Sequence, residues 1–326
     1  HWAARAPRYH AQGSLVESRG GGRRIMAVAI LLAALAAAGS WWLFRDRCHP
    51  ASHYLPRGSE LFLSMNWPAL TKSRFFQRAK DTPGLRLVER VRVFAQNAGL
   101  GYRDIERVTA GGSADGGNLI VVYRLTRPIP AEKIVGRPNF KALRKTDGPS
   151  ETVRGVPVYH VGPSALAFPE PQVIVNGDLE LVREVLRSRS AGIAGPLEEL
   201  LETADFSTTC LEMTVGVPLP LRDSFLQAYA DQADTVAATA TNYTYGSIVK
   251  FRRTLQVRNP GAVEGLRTSA EQSIRTAAKD ERCDEKLRGL LKEVHVSKSA
   301  QAVHIELELL PDAVPPETVK QLRPLF

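Results

Sequence analysis

An uncharged apolar run of 20 residues, beginning at Ile25 and ending at Phe44, most constrains what this chain can fold into. A helix of that length is about 30 Å long, which matches the hydrocarbon thickness of a bilayer. Residues 45–326 behind it have the mixed composition of an ordinary soluble domain. The sequence therefore predicts a transmembrane helix at residues 25–44, which contacts the lipid bilayer and tethers a large domain.

Arginine counts on the two sides of the run predict its orientation. The tail before the run holds five arginines, and the comparable stretch after it holds three, Arg45, Arg47 and Arg57. The positive-inside rule therefore predicts a cytoplasmic tail and a C-terminal domain on the other side. Trp41 and Trp42 suit the far interface, where amphipathic rings are enriched. We expect a single-pass protein of the cell inner (cytoplasmic) membrane with a periplasmic or extracellular domain.

A cleaved export signal is the alternative explanation of the same run. Residues 25–35 would be its apolar core, and the alanines at 36–38 would offer small residues to a signal peptidase. Cleavage there would leave residues 41–44, WWLF, close to a new N-terminus. Both explanations place the bulk of the protein outside the cytoplasm.

The net charge of +9 does not predict nucleic-acid binding. The tail through Arg24 contributes +4 of it, which leaves +5 for the other 302 residues. The sequence after the tail is therefore only weakly basic for its size, which does not indicate a nucleic-acid partner. Arginine and alanine are abundant, which is typical of a GC-rich bacterial genome.

Apolar periodicity after residue 54 alternates between strand and helix patterns. Strand patterns occur at residues 60–65, 105–110, 119–125, 156–161, 165–168, 172–175, 243–257, 294–296 and 303–309. Helix patterns begin at Pro68, at Thr82-Pro83, after Asn176-Gly177-Asp178, near Val263 and around Cys283. Several strands are joined directly by turns, so we predict an α+β class with mostly antiparallel sheets and helices packed on them.

Two short segments begin alike and suggest a duplication. Residues 61–68 (LFLSMNWP) and 211–218 (LEMTVGVP) each have the pattern of a strand, a two-residue break and a proline that opens a helix. One continuous fold is the alternative. The preferred division is a basic tail at 1–24, a transmembrane helix at 25–44, a linker at 45–53, a first α+β unit at 54–190 and a second at 195–326.

Four segments carry a resemblance to a known group of proteins. They are Tyr54-Leu55-Pro56, the segment LFLSMNWPAL with Ser73 and Phe75-Phe76 behind it, GVPVY from Gly155, and NGDLELVREVLR from Asn176. In these segments the chain resembles a group of bacterial membrane-anchored or exported proteins that have no known activity. The resemblance spans most of the domain after the apolar run. It implies an α+β architecture and brings no functional residues with it.

The last two strand patterns predict a hairpin. Residues 294–296 and 303–309 alternate apolar and polar side chains, as half-buried strands do. A turn at residues 298–301 would keep both apolar sets on the inner face if Val294 pairs with Ile305 and Val296 pairs with Val303. We therefore predict that register.

This register makes His295, His304 and Glu306 the candidate metal ligands. His295 would face His304 with the Glu306 carboxylate next to them, and such a group could hold a zinc-type ion or sense pH. The alternative is a polar outer face, in which Lys250 and Arg252 on a neighbouring strand offset the carboxylates. No other cofactor is expected from the sequence.

Three further patterns are weaker. Ser247 and Lys250 match the serine-x-x-lysine pattern of penicillin-recognising enzymes, but their surroundings favour a strand, on which residues three apart face opposite ways. The glycine-rich residues 111–117 join strand to strand, which predicts a hairpin tip and not a phosphate cradle. Three cysteines leave at least one unpaired, and a Cys210–Cys283 bridge is one pairing that the sequence allows.

These observations support three functional hypotheses. The first is a membrane-anchored, non-catalytic module or scaffold that binds a protein or an envelope component on the non-cytoplasmic side. The second is an envelope hydrolase, assisted by a metal at His295 and His304. The third is a secreted protein with a cleaved signal. A bare apolar groove would favour the first, and a cleft with two or more perturbed titratable groups would favour the second.

Overall fold

The computed structural model describes residues 52–73, 86–113, 118–144, 146–188, 193–206, 208–216, 233–245, 248–279 and 285–310. All of them lie within residues 49–326, which form one unit. Within these ranges, no helix combines the length and the hydropathy that a bilayer span requires. The run at residues 25–44 lies outside the described residues, so its membrane helix stays a prediction.

The described residues contain twelve strands and eight α-helices. The strands are β1 Leu61–Asn66, β2 Ile105–Gly112, β3 Leu119–Leu125, β4 Glu151–Val153, β5 Val156–Val161, β6 Ser164–Glu170, β7 Val173–Asp178, β8 Cys210–Val215, β9 Val236–Tyr245, β10 Val249–Val257, β11 His295–Lys298 and β12 Ala302–Leu309. The helices are α1 Trp67–Lys72, α2 Arg86–Ala98, α3 Ala131–Val135, α4 Pro138–Lys141, α5 Leu179–Arg187, α6 Pro196–Thr203, α7 Val263–Ala277 and α8 Glu285–Lys292. The α+β class is confirmed.

All twelve described strands belong to one sheet, and every pairing between them is antiparallel. The strand order is β11-β12-β10-β9-β8-β1-β2-β3-β7-β6-β5-β4. The strands of the predicted first unit, β1 to β7, therefore adjoin those of the second, β8 to β12, along the β1–β8 pair. A separate sheet for each unit was the prediction, and in this respect it is wrong.

The two faces of the sheet are covered by different helices. We call one the α2 face, which carries Leu63 and Tyr123 and packs against α1 to α4. We call the other the α5 face, which carries Phe62 and Val122 and packs against α5 and α6. Toward β11, the helices α7 and α8 pack on the odd-numbered side chains of β10 and β12, where Leu255 and Val303 are fully buried.

Local sequence signals explain where several helices begin. Asn66 caps α1, because its side-chain oxygen accepts a hydrogen bond from the Ala69 amide at 3.2 Å, and Pro68 follows in the first turn. Asp178 caps α5 in the same way through the Glu180 amide at 2.9 Å. These starts confirm the sequence prediction. The helices α3 and α4 and the short strand β4 were not predicted.

An ion pair fastens α5 to the edge strand β4. Arg183 donates from Nε and Nη2 to the two carboxylate oxygens of Glu151, at 2.8 and 2.9 Å. The His160 ring lies 3.3 Å from the same carboxylate. The hydrogen bond from Arg183 holds the pKa of Glu151 below its usual value, against the effect of burial. The helix and the last strand of the sheet are therefore joined by a bidentate contact.

We predict that Arg183→Ala reduces the loss of folding stability that occurs as the pH falls. The lowered pKa of Glu151 stabilises the fold above the usual glutamate value of 4.5, and this contribution is lost as pH falls through the folded-state pKa. Urea unfolding of the full chain between pH 7 and 3.5 should give a lower midpoint at pH 7 and a shallower decline in acid for the variant.

Arg187→Ala is the matched control, since Arg187 is an exposed arginine one turn further along α5. It should keep the wild-type slope. An unchanged slope in Arg183→Ala would contradict the assigned role of the pair.

Candidate functional site

A groove of about 660 Å³ opens on the α2 face of the sheet. Helix α2 forms one wall, and residues 140–143, which include the end of α4, form the other. The strands β3, β7 and β6 form the floor. Its volume falls in the range of pockets that hold small ligands. The residues that line it are Glu89, Arg90, Val93, Phe94, Asn97, Leu119, Val121, Tyr123, Phe140, Leu143, Val161, Pro163, Ser164, Leu166, Asn176, Gly177 and Asp178.

The floor and rim of the groove are largely apolar. Val121 and Leu166 project from the sheet, and Phe140 closes the α4 side. Val93 on α2 and Leu143 beyond α4 are 44% and 55% exposed, although both side chains are large and apolar. Apolar side chains that face each other across a concave surface are typical of a site that a ligand or partner covers.

Tyr123 places one buried polar group at the base of the groove. Its ring stacks on Phe94 with ring centroids 4.0 Å apart, and Phe94 also contacts Phe140. Burial raises the pKa of the Tyr123 hydroxyl, while a hydrogen bond with the Asn176 side chain and the nearby charge of Arg90 act in the opposite direction. The hydroxyl is therefore neutral at physiological pH and stays a hydrogen-bonding group.

Sequence reasoning did not find this groove. Its residues come from α2, β3, β6, β7 and the α3–α4 region, which lie up to about 90 positions apart in the chain. In the sequence, Asn176 stands just before a helix start, and the residue that caps the helix is Asp178. The available signal was an asparagine within an otherwise apolar strand, opposite Val121 on β3 and Leu166 on β6.

The hairpin of β11 and β12 has a different register from the predicted one. Val296 pairs with Ile305 and Lys298 pairs with Val303, a shift of two residues. The turn lies one residue further along the chain than predicted, at residues 299–302, where the Ser299 amide donates to the Ala302 carbonyl at 2.9 Å. A shift of two keeps every side chain on its predicted face, so the apolar pattern could not distinguish the two registers.

The shifted register separates the candidate metal ligands. His295 lies opposite Glu306, and His304 lies opposite Ser297, so the two histidines do not face each other as predicted. Within the described ranges, no group of three or more His, Cys, Asp or Glu side chains is placed to hold a metal ion. The prediction that the two histidines face each other is therefore wrong, while metal binding at His295, His304 and Glu306 stays a prediction.

The same surface matches the alternative of a polar outer face. Arg252 contacts Glu306 at 3.0 Å, and Lys250 contacts Glu308, each pair directly opposite on β10 and β12. In the next pair along the two strands, Thr254 lies opposite His304, and the His304 Nδ1 lies 3.1 Å from the Thr254 hydroxyl. The carboxylates are therefore offset by cations on the neighbouring strand.

The three weaker sequence patterns are the Ser247–Lys250 pair, the glycine-rich segment and the cysteines. Lys250 lies in β10, which confirms a strand at that position; Ser247 lies outside the described residues. Part of the glycine-rich segment, residues 114–117, also lies outside, while its flanks form the antiparallel pair β2–β3. Cys210 is a free thiol on β8, and burial raises its pKa. The Cys210–Cys283 bridge is therefore not formed.

Comparisons with known proteins show a likeness of fold alone. Neither a protein-family model nor a curated protein matches the chain. The chain is similar to crystal form III of TP0453, with a TM-score of 0.50 at 10% identity over 85% of this chain and 98% of that one. Crystal forms I and IV of TP0453 give TM-scores of 0.44 and 0.46, also at 10% identity, over 84% and 83% of this chain and 98% and 95% of theirs.

We predict that His304 makes the protein less stable as pH falls from 8 to 5.5. Burial and the neighbouring Arg252 lower the pKa of His304 below its usual 6.5. The unfolded chain therefore takes up the proton first, so the free energy of unfolding decreases below about pH 6.5. His304→Gln should flatten this part of the profile in urea unfolding of the full chain.

His295→Gln is the matched control, because it removes an exposed imidazole from the same hairpin and leaves His304 in place. It should retain the wild-type decline. A decline of wild-type size in His304→Gln would show that other groups cause it.

Proposed function

We propose that this chain is a non-catalytic binding module, tethered to a bacterial membrane and acting on its non-cytoplasmic side, with the groove on the α2 face as its binding site. The observation that carries the proposal is the groove itself, an apolar concavity of about 660 Å³ with Val93 and Leu143 exposed at its rim. A concave surface with exposed apolar side chains at its rim is typical of a site that binds an apolar ligand.

The composition of the groove favours binding over hydrolysis. Among the described residues that line it, Tyr123 is the one for which a clear pKa shift is found, and burial is the main cause. Its hydroxyl is hydrogen-bonded to Asn176, which has no acid–base function of its own. A hydrolase needs at least a nucleophile or an activated water with a base beside it.

The tether is the part of the proposal that rests on sequence. Residues 25–44 have the length and the absence of charge that a bilayer-spanning helix needs, and the arginine excess before them favours a cytoplasmic tail. Tethering would keep the domain at the membrane, whose lipids are a source of apolar and amphipathic ligands.

We also propose that the two halves of the sheet descend from one duplicated unit. Outward from β1 the order is β2, β3, β7, β6, and outward from β8 it is β9, β10, β12, β11. In each half the first three strands adjoin in sequence order. The neighbour of the third strand then comes from later in the chain, β7 beside β3 and β12 beside β10, and all pairs are antiparallel. This correspondence supports the likeness of residues 61–68 to residues 211–218.

Protease accessibility tests the predicted topology. Protease added to intact spheroplasts should digest the domain after residue 45 and leave a membrane-embedded fragment that contains residues 25–44. Lysed spheroplasts serve as the control for cleavability of both sides. A chain that survives in intact spheroplasts but is digested after lysis would contradict the proposed orientation.

A photoreactive probe tests the groove. The full chain in lipid nanodiscs is labelled with a neutral C12 alcohol that carries a diazirine at the end of its chain, and labelled peptides are identified by mass spectrometry. We expect labels near Val93 and Leu143. Leu143→Asp should reduce groove labelling roughly tenfold, because it places a charge where an alkyl chain would pack.

Leu310→Asp is the matched control, since Leu310 is 65% exposed and does not line the groove. It should leave groove labelling unchanged. Labelling that is absent from the groove in the wild-type chain, or equal in Leu143→Asp, would contradict the proposal.

A further inference from the structure

The charged residues at the groove differ in what they contact. Glu89 forms an ion pair with Arg92 at 2.8 Å, and Asp178 caps α5 through the Glu180 amide. Arg90 forms no hydrogen bond or ion pair within the part of the chain that the structure describes. The groove therefore has one guanidinium available, while both of its carboxylates are already occupied.

Arg90 is an exposed residue of α2, the helix at Arg86–Ala98. The stripe of α2 that packs on the sheet contains Val91, Phe94 and Ala95, and Arg90 is exposed beside it.

Arg90 lines the same groove as the polar group at its base. Its charge acts on the Tyr123 hydroxyl, which is hydrogen-bonded to Asn176. Asn176 is half-buried, and an amide has both donor and acceptor capacity beyond a single hydrogen bond. A guanidinium, a hydroxyl and an amide therefore line one groove, whose apolar floor contains Val121 and Leu166.

We infer that the groove binds an anionic amphiphile with a single alkyl chain and a carboxylate, a long-chain fatty acid. This inference rests on the proposed function and names its ligand. The planar guanidinium of Arg90 matches a carboxylate with two parallel hydrogen bonds, and Asn176 can donate a further one. The alkyl chain lies on the apolar floor and covers Val93 and Leu143.

Matched probes test the ligand class. The full chain in nanodiscs at pH 7.5 is labelled with three C12 diazirine probes that differ only in the head group, a carboxylate, an alcohol and a primary amine. Labelling is normalised to the amount of each probe in the bilayer. The carboxylate should reach half-maximal labelling of the groove at about a tenfold lower concentration than the alcohol, and the amine should label least.

Arg90→Gln should abolish the preference for the carboxylate, so that in this variant the carboxylate and the alcohol label the groove at equal concentrations. Arg187→Gln is the control, because it removes the same charge from an exposed residue of α5 that does not line the groove. It should retain the tenfold preference. Both substituted side chains are exposed, and circular dichroism of each variant checks that it is folded.

The outcomes separate the inference from the proposed function. If no probe labels the groove, the proposed function fails and the inference fails with it. Groove labelling by the alcohol and the carboxylate at equal concentrations would overturn the inference alone. A preference for the carboxylate that persists in Arg90→Gln would also overturn it, because the head group would then be recognised elsewhere. Stronger labelling by the amine would assign the groove to a cationic ligand.

Discussion

The pairing of β1 with β8 is the constraint on which the rest of the described structure depends. Five residue pairs, from Leu61 opposite Thr214 to Met65 opposite Cys210, join the strands of both halves into one sheet. Without this pair, each half would end in an exposed strand edge with unpaired amides and carbonyls. Arg107, buried on β2 beside this junction, donates from Nη1 to the Ser64 hydroxyl and from Nη2 to the Phe206 carbonyl, each at 2.9 Å. It thereby links β2 to β1 and to the segment that leads into β8.

The groove follows from the width of that sheet. The described helices on the α2 face of the first half are short, and the longest of them, α2, has 13 residues. Their apolar side chains cover β2 and part of β3, while α4 closes the far side through Phe140. The strip of β3, β7 and β6 between α2 and α4 is left as a concave floor. Helices form the walls of the groove and the sheet forms its floor. Its shape is therefore determined by the packing of these elements and not by a long loop.

The C-terminal hairpin marks the limit of pattern-based prediction. The alternation of apolar and polar residues assigned β11 and β12 to the correct faces, and the neighbouring Lys250 and Arg252 pair with the carboxylates opposite them. The register was wrong by two residues, since a shift of two preserves which face each side chain occupies. The tight turn between Ser299 and Ala302 decides the register, and its central residues, Ala300 and Gln301, are not the glycine or asparagine that would indicate such a turn in the sequence.

The sequence by itself determined the local elements: the caps at Asn66 and Asp178, the amphipathic helices α2, α5 and α7, and the antiparallel strands. These depend on spacings of two to four residues and on backbone groups that a neighbouring side chain can satisfy. Only the tertiary structure decided that one sheet runs through both halves and that Arg90, Tyr123 and Asn176 meet at one groove. These contacts join residues that lie about 30 to 150 positions apart in the chain, and they depend on which strand edges pair. The hydrophobic periodicity of a sequence extends over only a few residues, so it does not predict them.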